Sequence, residues 1–204
     1  MEAVIGALAL GFHEIFVTIT DWSYASLLPA LGSEWLALAA KIALSCVLIL
    51  PESILLVMTF PLMSAGLVRA QPGASGESIA MLYFTNSLGA AIGVLASGFV
   101  LIEWVGLPGT LRTAAGINLA LAVAVWTISR PAHDPALQPR ATRELSGARL
   151  LYSVALLTGL ASFVYEICWI RMLSLVLGAS THSFELMLSV FILGLALGGL
   201  AVRR

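Results

Sequence analysis

Six long apolar runs recur along this chain, at residues 2–20, 36–68, 78–104, 109–130, 148–177 and 180–202. Each can cross the hydrocarbon layer of a bilayer, for which about 20 helical residues suffice. Inside hydrocarbon a backbone has no water to bond with, so a spanning segment must satisfy its own N–H and C=O groups as a helix. The composition agrees, with 60% hydrophobic and 10% charged residues where soluble domains average about 25% charged. The expected fold is all-α, a polytopic helical membrane protein of about six transmembrane helices. The opening MEAVIGALALGF lacks the basic region and cleavage site of a signal peptide, so it reads as a retained first span. Six spans with short connections leave no room for a soluble domain.

The last stretch, Ser162 to Arg204, places Glu166, Arg171 and Glu185 inside two apolar spans that meet at a turn near Gly178. A charge at the centre of a membrane helix costs roughly 2.5 kcal/mol or more, so each must face protein, water or a partner. Arg171 lies eight residues before Ala179 and Glu185 six after it. At 1.5 Å per residue their depths differ by about 3 Å, and a salt bridge between them is expected. Glu166 is five residues from Arg171, about 140° around the helix, and is assigned a different neighbour, one that can lie outside this chain. His13 with Glu14 in the first span and Glu52 in the second are further ionisable groups at middle depth. They suit either interhelical hydrogen bonding, the simpler reading, or the carboxylate and imidazole of a proton-coupled transporter. Lys41 and Arg112 lie near span ends, where long basic side chains snorkel.

Loop charges set the expected orientation. Arg69, then Arg130, Arg140, Arg143 and Arg149, then Arg203 and Arg204 fall in alternate connections, whereas 21–35, 105–108 and 178–179 contain no Lys or Arg. The positive-inside rule makes the basic connections and both termini cytoplasmic, in a cytoplasmic-type membrane. The polar stretch 131–147 carries Pro131, Pro135 and Pro139 and reads as a cytoplasmic linker dividing a four-span bundle (1–130) from a helical hairpin that opens a second (148–204). The turn at 69–78 holds Gly73 and Gly76 but no Gly-Lys-Ser/Thr, so a phosphate loop is set aside. The second span contains Pro51 and Pro61 and is long for one crossing, which predicts a tilted or kinked helix or an amphipathic lead-in.

The third span presents Tyr83, Asn86, Ala90, Gly93 and Ser97 at helical spacing, with Gly89 and Gly93 in a G-x-x-x-G. Small residues let helices approach closely, so this is a packing seam or, alternatively, the lining of a substrate path. Gly194 and Gly198 repeat the device in the last span. Cys46 and Cys168 are read as small packing residues, without disulfide or metal roles. No nucleophile with its base, metal cluster or nucleotide fingerprint stands out, so no catalytic, cofactor-binding or metal residues are assigned, and no cofactor. With a net charge of −1 and no basic run to track a phosphate backbone, the charge pattern argues against nucleic acid as a partner.

The run FVYEICWIRMLSLVLGAS, with Tyr165-Glu166, Trp169 and Arg171 ahead of Gly178, then FILGLALGG, resembles the repeat-opening hairpin of membrane-fused spermidine synthase-like proteins. ESIAMLYFTNSLGAAIGVLASGFVL and ILPESILLVMTFPLMSAGLVRA are similar to further spans of the same family. The resemblance implies a partial transporter-like bundle beginning at the family's third span, serving or anchoring a cytosolic aminopropyltransferase-like domain and not catalytic itself. Its cofactor glycines and catalytic acids have no counterpart positions here, and Glu52 stands where the family has a small or hydroxyl residue. On this reading Glu166, Glu52 and Glu14 supply negative charge for a polyamine. The partners implied are the lipid bilayer, missing helices with the cytosolic domain, and further copies of the chain in a homo-oligomer. A small transporter half or a structural membrane subunit are the alternatives. Internal symmetry separates them: the Tyr165-Glu166 hairpin has no earlier copy in the sequence, which favours an excerpt of a larger bundle.

Overall fold

The computed structural model describes residues 1–70, 76–128, 148–178 and 180–202, with the side chains of 70, 148–151, 180 and 202 excepted. The expected linker 131–147, with its arginines, and Arg203 and Arg204 lie outside the described residues. Every described element is helical. The chain runs α1 (Glu2–Trp22), a π-helical turn (Ser23–Leu27), α2 (Leu28–Ala30), α3 (Glu34–Ala70), α4 (Gly76–Ala96), a second π turn (Ser97–Leu101), α5 (Ile102–Ile128), α6 (Ala148–Leu177) and α7 (Ser180–Val202). Five continuous helical segments are long and apolar enough to cross a membrane. The third, Gly76–Ile128, spans 53 residues, about 80 Å at 1.5 Å per residue, and it is broken at Gly106 (φ 68°, ψ 179°). Its arms, 76–105 and 107–128, coincide with the described parts of the two runs at 78–104 and 109–130.

Three glycines organise the chain into three helix pairs. Gly32, Gly106 and Gly178 have φ of 59°, 68° and 69°, and no other described residue has positive φ. A Cβ is strongly disfavoured in this region, so glycine is the residue that lets one helix stop and the next begin at once. The first two pairs share one backbone plan. Glu2 and Gly76 start their helices, Trp22 and Ala96 end them, Ser23 and Ser97 open the π turns, Leu27 and Leu101 close them, and Gly32 and Gly106 follow, each 74 positions after its counterpart. Each π-turn serine donates back to a carbonyl three residues earlier, Ser23 Oγ to Thr20 O at 2.8 Å and Ser97 Oγ to Val94 O at 3.0 Å. The sequence suggested no such internal copy.

One expectation about the first pair changes: the connection assigned to 21–35 is helical as far as Ala30, because the π turn absorbs the extra residues without ending the helix. Pro51 and Pro61, where a tilt or kink is expected, both lie inside the continuous helix α3.

The second helix of a pair packs on the first helix of the pair before it: α5 lies on α1, and α7 lies on α4. α1 contributes Ile5, Gly6 and Ala9 to its contact, and α5 contributes Ala115, which is fully buried. A Cβ on Gly6 would stand 2.8 Å from Leu119 Cγ, so the absence of one sets the distance between the helices. α6 packs on α7. Neither α3 nor α6 has a fully buried described side chain.

Candidate functional site

The polar centre of the bundle is on α7. Glu185 is 8% exposed, among the few buried polar groups of a largely apolar contact. Three residues earlier, His182 stands almost directly above it on the same face, since residues three apart in a helix are neighbours. His182 Nδ1 lies 3.1 Å from Glu185 Oε2, an N–H donating to the carboxylate. The imidazole stacks on Phe99 with centroids 4.9 Å apart and planes 18° from parallel.

Gly98 makes room for the carboxylate. It is the second residue of the Ser97–Leu101 π turn, and a Cβ there would overlap the carboxyl carbon and both oxygens of Glu185. π bulges re-aim one turn of a helix and recur at functional sites. Here the turn presents a bare Cα to the acid and, next to it, an aromatic face to its imidazole partner. One turn further along α7, Ser189 Oγ donates to Ala91 O at 3.2 Å, tying the contact together below the acid. Gly199 then meets the ring of Tyr83.

The expected pairing of Arg171 with Glu185 does not form. Their depths match, but their directions around the helix axes do not. The half-buried described residues of α6 are Ser162, Glu166, Ile170, Leu173 and Ser174, and Arg171 lies outside them, about 60° from the nearest, on an exposed face. Glu185 meanwhile turns to α4. Among the described residues the one close pairing of an acid with a basic side chain is that of His182 with Glu185.

The remaining candidates are dispersed. His13 is half-buried and Glu14 exposed on α1, Glu52 is half-buried on α3, and Glu166 is half-buried on the edge of α6 that faces α7. No common site gathers them. Asn86 is exposed, and nothing lies within 4 Å of a Cβ built at Gly89, Gly93, Gly194 or Gly198. The seam along α4 and its π turn is instead Tyr83, Ser87, Ala91 and Gly98, and the glycines of close approach between packed helices are Gly6, Gly98 and Gly199, while Gly109 meets Val105 across the break at Gly106. Gly194 and Gly198 line an opening of about 530 Å³ with Phe60 and Tyr83. Cys46 and Cys168 are exposed and free, not packed between helices of this chain.

A second, almost wholly apolar groove of about 670 Å³ separates α6 from α7, lined by residues including Trp169, Leu173, Met187 and Phe191. Among the described residues no group of three His, Cys, Asp or Glu side chains is placed to hold a metal.

Glu185 was singled out from the sequence and His182 was not, although its i, i+3 spacing from the acid is a signal that could have found it. Gly98 and Phe99 carried no such signal, because their role depends on the π turn. Compared with known proteins, the chain matches no family model, no curated protein and no solved structure.

Proposed function

We propose that this chain is the transporter-like membrane bundle of a spermidine synthase-like protein, handling a cationic amine and not catalytic by itself. Glu185 is the acidic group that receives the cation, and His182 holds it. The observation that carries the reading is a buried carboxylate whose described partner is an imidazole, with no Lys or Arg paired to it among the described residues. An acid whose partner is an imidazole is not matched by the permanent cation of a Lys or Arg, and a buried acidic group in a low-dielectric setting gains from such a cation. Phe99 adds an aromatic face beside it, a surface that ammonium groups favour. Glu14, Glu52 and Glu166 lie on three other helices, α1, α3 and α6, and are not among the residues placed around Glu185. The arginine-bearing connections and both termini are assigned to the cytoplasmic side of a cytoplasmic-type membrane.

Uptake of radiolabelled spermidine into vesicles containing the purified full chain tests this. Wild type is expected to accumulate the amine, and E185Q, which preserves shape while removing the charge, to lose at least about tenfold of that uptake, equivalent to one charge-assisted contact. Equal uptake by folded E185Q and wild type rejects the site. Absence of uptake by wild type leaves the anchoring role of the bundle and removes transport.

A further inference from the structure

Glu185 is walled unequally. Both of its carboxyl oxygens lie against the bare Cα of Gly98, and one turn further along α7 the contact is tied by Ser189 Oγ to Ala91 O. Towards α6 its helix neighbours Leu186 and Met187 belong to the lining of the apolar groove. The remaining side is covered by His182, three residues nearer the turn at Gly178, whose Nδ1 meets Oε2 at 3.1 Å. That cover is itself open, with 43% of the His182 side chain exposed against 10% of the Glu185 side chain. An ion coming to the carboxylate therefore arrives where the imidazole now stands. The ring rests on Phe99 by stacking, 4.9 Å between centroids, a contact with no hydrogen bond to break when the ring swings off Oε2.

Taking Glu185 as the acid that receives a cation, the reading on which this rests, we propose that His182 is the gate of the site, a tethered competitor that yields to an entering cation and, once protonated, shuts the site against it. A neutral imidazole gives the carboxylate one N–H bond, which an ammonium group replaces with a charge-assisted one. A protonated imidazole is itself a cation, fixed three residues away on the same helix, and competes at the high effective concentration of a tethered group. Histidine is the side chain suited to change charge in the physiological range. Cation binding at Glu185 and proton binding at His182 then oppose one another. By reciprocity, an entering amine releases the imidazole proton to water.

The elements packed on α7 bring no second basic group to Glu185 among the described residues. They are α4, its π turn and α6. The π turn Ser97–Leu101 has no titratable side chain. On α4 the titratable residues are Glu77 and Tyr83, towards the opposite end of the contact, where Tyr83 meets Gly199. On α6, Glu166 is half-buried at the edge facing α7, while Tyr152, Tyr165, Cys168 and Arg171 are exposed. His182 is thus the described group whose proton meets this carboxylate.

Equilibrium binding of radiolabelled spermidine to the purified full chain in lipid nanodiscs, near pH 7.5 and near pH 5.5, tests the gate. Wild type is expected to lose about tenfold in affinity on acidification, an ordinary coupling between two ligands of one site. H182N keeps an N–H near the position of Nδ1 and cannot be protonated, so its affinity should agree at the two pH values to within about twofold. H182K, a permanent tethered cation, should bind weakly at both, and so should E185Q, which lacks the charge. An acid-independent wild type, an acid loss in H182N equal to that of wild type, or H182K binding like wild type near pH 7.5 overturns the gate, while a weak E185Q still upholds the cation site. E185Q binding as wild type does rejects the site, and the gate with it. H182K carries the test by itself if H182N does not fold.

Discussion

The carboxylate of Glu185 lies against the bare Cα of Gly98, on the π turn of the neighbouring helix. The acid and the missing side chain are one device: the π turn opens a space that only glycine leaves empty, and α7 fills it with a charged group held by His182. G98A is therefore expected to push α7 off α4. Overpacking of this kind costs about 1–3 kcal/mol. A lowered midpoint in a detergent unfolding titration, with G98A worse than a G93A control, is the expected result.

Removing the imidazole should hurt more than removing the hydroxyl. H182A leaves the Glu185 carboxylate buried without its donor, a loss of about 1–3 kcal/mol. S189A removes one hydrogen bond to Ala91 O, where membrane-protein side-chain bonds average about 0.6 kcal/mol. Unfolding titrations of the two variants should rank them in that order, and E185Q/H182A together should cost less than the sum of the single changes because the pair is coupled.

The glycines divide into two classes by their surroundings. Gly89, Gly93, Gly194 and Gly198 have open space where a Cβ would go, whereas Gly6 has Leu119 and Ala115 against it. Alanine at the first four should be neutral or raise stability by up to about 1 kcal/mol through reduced freedom of the unfolded chain. G6A should lower it, unlike G11A, read by the same titration of the monomeric chain.

The three glycines of positive φ are expected to respond to backbone geometry alone. G32A and G178A place a Cβ in the left-handed region at a cost of about 1–2 kcal/mol each, while asparagine tolerates that region better. Since nothing lies within 4 Å of either position, alanine should cost more than asparagine, and limited proteolysis at the turns should be faster for the alanine variants than for the asparagine variants.

Residue by residue, the helices were legible and their neighbours were not. The apolar runs specify helices because hydrocarbon leaves the backbone no other way to bond itself, and the turns near Gly106 and Gly178 followed from where those runs pause. Arg171 and Glu185 matched in depth, a quantity that sequence spacing measures well. Their failure to pair was azimuthal: which side of α7 faces α4 depends on how two apolar surfaces interlock, and nearly any face of such a helix is apolar enough to serve.

The same reason accounts for the glycines. G-x-x-x-G at Gly89 and Gly93 signals that a close contact is permitted there, yet the contact formed on the Ser87–Ala91–Gly98 face, where Ser189 and Glu185 supplied hydrogen-bonding and shape that the other face lacked. The 74-residue correspondence between the first two helix pairs was hidden because lipid selects for apolar character and not for identity; Ser23 and Ser97, with Gly32 and Gly106, are among the few positions where backbone geometry demanded the same residue twice. The sequence by itself determined an all-helical chain with membrane-spanning lengths, the places where it turns, and which charges must find partners. The tertiary structure alone decided that His182 and Gly98 are those partners for Glu185, because a π turn changes the direction of side chains without leaving a pattern in the residues that form it.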